Sequence, residues 1–126
     1  MASLFELQDP NFGRLTKGKS VLAGGDEATT LTAAQSIETI VSATPTAGRT
    51  YTTATAAAIL AELGVNNKVG QTFELIFVNL ASATHALTVA GGTTVTVVGS
   101  ATVAAATSAT FVGRVTSSTA ISLFRV

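Results

Sequence analysis

The segment GRLTKGKS, Gly13 to Ser20, matches the phosphate-loop pattern GxxxxGKS/T at every required position. In such a loop, backbone N–H groups of a glycine-rich turn cradle phosphate oxygens. The lysine, here Lys19, reaches the β- and γ-phosphates, and the hydroxyl, here Ser20, holds Mg²⁺. The arrangement works only between a buried strand and a helix N-terminus whose dipole faces the anion. Neither is expected here. QDPNF precedes the segment, with Pro10 and Asn11 breaking any strand, and only VLA separates Ser20 from Gly24–Gly25. ELIFVN, the nearest imitation of an apolar strand carrying a Mg²⁺ ligand, ends in Asn79 and not in aspartate. No nucleotide and no other cofactor is expected.

Other residue types that do chemistry are sparse. His85 is the sole histidine and has no acid near it in sequence, so it reads as a strand-edge or contact residue rather than a base. The many serines and threonines include no Gly-x-Ser-x-Gly elbow. Asp26 and Glu27 are adjacent in a glycine-punctuated stretch and read as a solvated turn. Cysteine is absent, and no cluster of acids and histidine has metal-ligand spacing. Arg49, Arg114 and Arg125 are candidates for pairing with Glu38, Glu62 or Glu74, within or between chains, or for contact with phosphate or glycan. No active site is expected, and the chain is read as a non-enzyme.

The elements behind these residues follow from composition and pattern. The chain has 126 residues, enough for one domain with a core, and its seven basic and seven acidic residues cancel. No global field therefore draws it to nucleic acid or an anionic membrane. Mean hydropathy is +0.50, yet polar residues and glycines interrupt every apolar run before the roughly 18 residues a membrane helix needs. A soluble protein is expected, without a signal peptide in MASLFELQDP. Half of the 14 charges fall within residues 1–28, leaving seven over the remaining 98. A surface this poor in charge is expected to be covered by copies of itself.

Residues 1–28 carry little periodicity and read as an extended arm, with SLFEL its one short ordered element. Phe5, Phe12, Arg14, Lys17 and Lys19 could anchor that arm on a partner; a solvated tail is the other reading. From residue 29 to 126, short segments rich in β-branched and aromatic residues alternate with turn signals. They predict a single all-β sandwich or jelly roll of about eight antiparallel strands. Gly91–Gly92, Gly99–Ser100 and Ser117–Ser118 are expected hairpin turns. One short helix, Thr55 to Leu63, is expected to begin at a threonine cap and stop at Gly64. In TFELIFVN, Phe73, Leu75 and Phe77 share one face, and Glu74, Ile76 and Val78 the other. The first face is expected in the core and the second against another subunit or layer.

From about Thr30 to Val126 the order of segments resembles the small jelly-roll cement, or decoration, proteins of tailed bacteriophage heads. The resemblance lies in LTAAQSIETIVSATPTAGRTYTTATAAAILAEL, then VGQTFELIFVNLASATHALTVAGGTTVTVVGS, then SATVAAATSATFVGRVTSSTAISLFRV. It implies a homotrimer on the exterior of the shell, made in the host cytoplasm, that clamps neighbouring major capsid subunits. Glu74, Ile76, Val78 and Arg114 are then the expected trimer contacts, with no nucleic acid or membrane as partner. A trimeric head fibre or carbohydrate-binding knob is the alternative. The absence of tryptophan, with Tyr51 the sole tyrosine, speaks against it.

Overall fold

The computed structural model describes residues 18–126. In chain order the elements are β1 (Ser20–Ala23), β2 (Thr29–Thr30), β3 (Thr39–Ala43), β4 (Arg49–Thr52), α1 (Ala56–Leu63), β5 (Thr72–Asn79), β6 (Leu87–Ala90), β7 (Val95–Val98), β8 (Thr102–Val103), β9 (Ser108–Val115) and β10 (Ile121–Arg125). They form two sheets, of strand order β1-β3-β5-β9-β10-β7 and β2-β4-β6-β8.

From β1 to β9, successive strands fall in alternate sheets. A chain that crosses to the opposite sheet after each strand returns to the first sheet running the same way. Hence β1, β3 and β5 pair parallel, as do β2, β4 and β6. The expected all-antiparallel pairing is therefore replaced by mixed sheets. Antiparallel pairs remain at β5–β9, β9–β10 and β6–β8.

The same winding changes two of the three expected hairpins. Gly91–Gly92 and Gly99–Ser100 lie on crossings between sheets, and only Ser117–Ser118 joins hydrogen-bonded neighbours, β9 and β10. The two glycines at 91–92 serve close approach instead. A Cβ on Gly91 would lie 2.0 Å from the Val95 carbonyl oxygen, and one on Gly92 2.6 Å from that of Ala54. Sequence reasoning read a glycine pair as a turn where the backbone needed room.

The helix lies where its signals place it. The Thr55 hydroxyl accepts the Ala58 N–H, and the Gly64 N–H closes on the carbonyls of Ala61 and Leu60. Ile59, Leu60 and Leu63 are buried on its core side.

Alternation along the long strands builds the core. Phe73, Leu75 and Phe77 of β5 and Ala109, Phe111 and Val115 of β9 point inward against Tyr51, Leu87, Val89 and Val103 of the facing sheet. Tyr51 meets Phe77 edge-on at 5.9 Å, and Phe77 meets Phe111 edge-on at 6.0 Å, so one aromatic chain spans both layers. Gly113 is the inward exception on β9, and any Cβ there would stand 2.2 Å from the Phe73 ring. Phe77 is fully buried at the centre of this set, so Phe77→Ala should cost about 3–5 kcal/mol of unfolding free energy. Urea denaturation of the variant against the parent measures it; a loss under about 1 kcal/mol would mean the aromatic chain does not hold the layers together.

Candidate functional site

Three polar arrangements and one apolar face are the features from which function can be argued. The first polar arrangement ties the amino-terminal strand to the body. Lys19 Nζ lies 2.8 Å from Glu38 Oε1 and 2.9 Å from Glu74 Oε1. Glu38 also accepts the Glu74 N–H through Oε2 at 2.8 Å. Glu38 has a φ of 48°, a conformation uncommon for a residue with a side chain. The hydrogen bonds that Lys19 donates, to Glu38 first and Glu74 second, raise its pKa above the ordinary lysine value. The attraction is therefore complete below that value and fades only as pH climbs through the raised one.

This geometry answers the phosphate-loop question for the residues described. Ser20 opens β1, a strand, where the nucleotide-binding motif requires a helix N-terminus, and Lys19 is engaged by two carboxylates. It also redraws the arm. Residues 20–23, expected within the extended segment 1–28, form the edge strand of the larger sheet and pair with β3. Gly24–Gly25 does not act as a linker: the Tyr51 hydroxyl donates to the Gly25 carbonyl at 2.8 Å, and Gly24 packs directly on that phenol. Phe5, Phe12, Arg14 and Lys17 lie outside the described residues.

The second arrangement closes the loop after β1. Asp26 accepts the Arg49 Nε–H at 2.8 Å and the Thr46 N–H at 3.0 Å, and its other oxygen accepts the Thr46 hydroxyl. Arg49 first, then Thr46, hold this carboxyl well below the usual carboxylate range. The sequence alone suggests a solvated turn for Asp26, and for Arg49 a pairing with Glu38, Glu62 or Glu74 or contact with phosphate or glycan. The parallel pairing of β2 with β4 brings the two together over 23 positions, a proximity no sequence pattern announces.

In the third, Asn79 is buried at the end of β5. Its amide donates to the carbonyls of His85 and Val103, at 2.8 and 3.0 Å, and its oxygen accepts the Ala81 N–H. Such full satisfaction marks a structural pin rather than a ligand. His85 contributes its carbonyl to this pin from the loop between β5 and β6. Arg125 donates to the carbonyls of Ser100 and Thr102, beside the Phe111 ring, and so is also engaged internally. Among the described residues, no group of three or more acids, histidines or cysteines could hold a metal ion, and no helix is long and apolar enough to cross a membrane.

The outward face of the six-stranded sheet differs from all of this. Register places Val21, Ile40 and Ile76 in one row across β1, β3 and β5, and Val112, Phe124 and Val98 in the next across β9, β10 and β7. Val21 is 72%, Val98 42% and Phe124 37% exposed, and the outward residues of β5 and β9 are mostly half-buried. No element of the described chain seals this face. Glu74, Ile76 and Val78 lie on it, as does Arg114, so all four expected contact residues share one surface. No protein-family model, curated protein or solved structure matches the chain.

The Asp26 arrangement gives a pH prediction. A depressed carboxyl contributes stability above its unfolded pKa and loses it as pH falls through the folded value. Thermal melts should therefore weaken below about pH 4, and Asp26→Asn should lower the melting temperature at pH 7 while flattening that acid limb. The effect will be modest because the pair faces solvent. A variant with an unchanged melt at pH 7 would show the clasp to be inert.

Proposed function

We propose that this chain is a structural virion protein that decorates and cements a bacteriophage head, binding as a homotrimer across neighbouring major capsid subunits on the outside of the shell. The observation that carries this reading is the uncovered apolar face of the six-stranded sheet on a body so poor in charge. Apolar patches of this kind mark contact surfaces. The two-sheet body and the order of its segments support the likeness to the jelly-roll cement proteins, whereas the parallel pairs depart from the antiparallel pairing that likeness implies. Residues 1–17 carry Phe5, Phe12, Arg14 and Lys17 and precede β1, the edge strand of the same sheet, in sequence. Three arms on one trimer would reach the shell together, so modest contacts from each would add through effective concentration.

Truncation tests this. Removing residues 1–17 leaves β1 and the Lys19 arrangement in place. The shortened chain should remain trimeric while its occupancy on undecorated shells drops. Undiminished occupancy would mean that the sandwich itself grips the shell; absence of binding by the full chain to any shell would refute the reading.

A further inference from the structure

Two opposite charges on the apolar face are left incompletely matched within the described chain. Glu74 and Glu38 together face one ammonium, that of Lys19, so the group keeps an excess negative charge. Glu74 Oε2 makes no hydrogen bond among the described residues, and its side chain is 45% exposed. Arg114 is exposed on β9 and forms no ion pair or hydrogen bond among the described residues. Because Thr72 is opposite Arg114 and Glu74 opposite Val112, the two charged residues are diagonal neighbours on adjacent strands, with Cα atoms about 7–8 Å apart. They nevertheless do not pair with each other.

Resting on the trimeric reading above, we propose that Arg114 of each copy pairs with Glu74 of the next, forming a ring of alternating charges around the threefold axis. Two close opposite charges beside such an axis produce this ring without further design, since each copy presents one to each neighbour. The axis would then run along β5 and β9. Val112 lies in the Glu74 row, and the rows of Ile76 with Thr110 and of Val78 with Ser108 would follow as further layers of the same contact. The partner is a second copy of this chain because both halves of the complementarity lie on one surface. Six strands about 4.8 Å apart and four to eight residues long give a face of roughly 500 Å². A ring divides this face between two neighbours, so charge complementarity, and not area alone, must select the contact. The pair also favours orientation, because seatings that oppose like charges or bury one charge alone are penalised.

Charge exchange in the full-length protein tests this by native mass spectrometry and light scattering, with folding followed by circular dichroism. Arg114→Glu and Glu74→Lys should each weaken trimer association about tenfold or more, and the double variant should recover most of the loss. Arg114→Gln, which leaves the Lys19 arrangement intact, should weaken association and flatten its dependence on salt, and it stands as the readout if Glu74→Lys disturbs β1. Arg114 variants that associate like the parent, or a double variant no better than its singles, would overturn the ring while leaving the trimer standing. A monomeric parent would remove both.

Discussion

The edge-to-face chain of Tyr51, Phe77 and Phe111 is the contact on which the rest of the body depends. Tyr51 belongs to the smaller sheet and the two phenylalanines to adjacent strands of the larger one, so a single set of rings fixes the spacing of both layers. The phenol of Tyr51 then reaches past the core to the Gly25 carbonyl. Burial pushes that phenol's pKa up, so it stays a neutral donor. The loop that follows β1 is held between this hydrogen bond and the Asp26–Arg49 pair. Packing in the middle of the sandwich thus determines where the first strand lies on its rim.

Among the described residues, the outward face of the larger sheet carries two apolar rows, one of Val21, Ile40 and Ile76 and one of Val112, Phe124 and Val98, set among serines and threonines. The few charges of the body divide accordingly. Asp26 and Arg49 neutralise each other, and Arg125 is absorbed by two carbonyls. Lys19 holds the edge strand, while Glu74 and Arg114 stand on the apolar face with capacity to spare. An exposed ion pair is worth little to a monomer, but the same charges enclosed in the proposed trimer would become selective for one arrangement of copies. In that arrangement the rows of valine, isoleucine and phenylalanine would provide attraction, and the charges register.

Much of the layer structure is legible in the amino-acid sequence. The alternation in TFELIFVN separates Phe73, Leu75 and Phe77 from Glu74, Ile76 and Val78, and the two sets do lie on opposite faces of β5. The threonine and glycine around AAAILAEL bound the helix as their capping chemistry requires. The winding was not legible. Strand patterns report which residues face the core, and they are silent on which strand lies alongside which. Gly91–Gly92 therefore looked like a hairpin, and the parallel pairs went unseen. Long-range partners were hidden for the same reason: Lys19 with Glu38 and Glu74, Asp26 with Arg49, and Asn79 with two distant carbonyls. Each of these short polar contacts depends on the pairing of strands far apart in sequence.

The central claim is that the outward face of the six-stranded sheet is covered by copies of the chain. The natural absence of cysteine allows this to be read directly by thiol labelling. Val112→Cys places a single thiol on that face, and Thr88→Cys places one on the exposed side of the smaller sheet. At micromolar protein concentration, the cysteine at position 112 should react with a maleimide probe far more slowly than the one at 88. Dilution or mild dissociation should raise the rate at 112 and leave that at 88 unchanged. Equal rates at high concentration, in folded protein, would contradict the account.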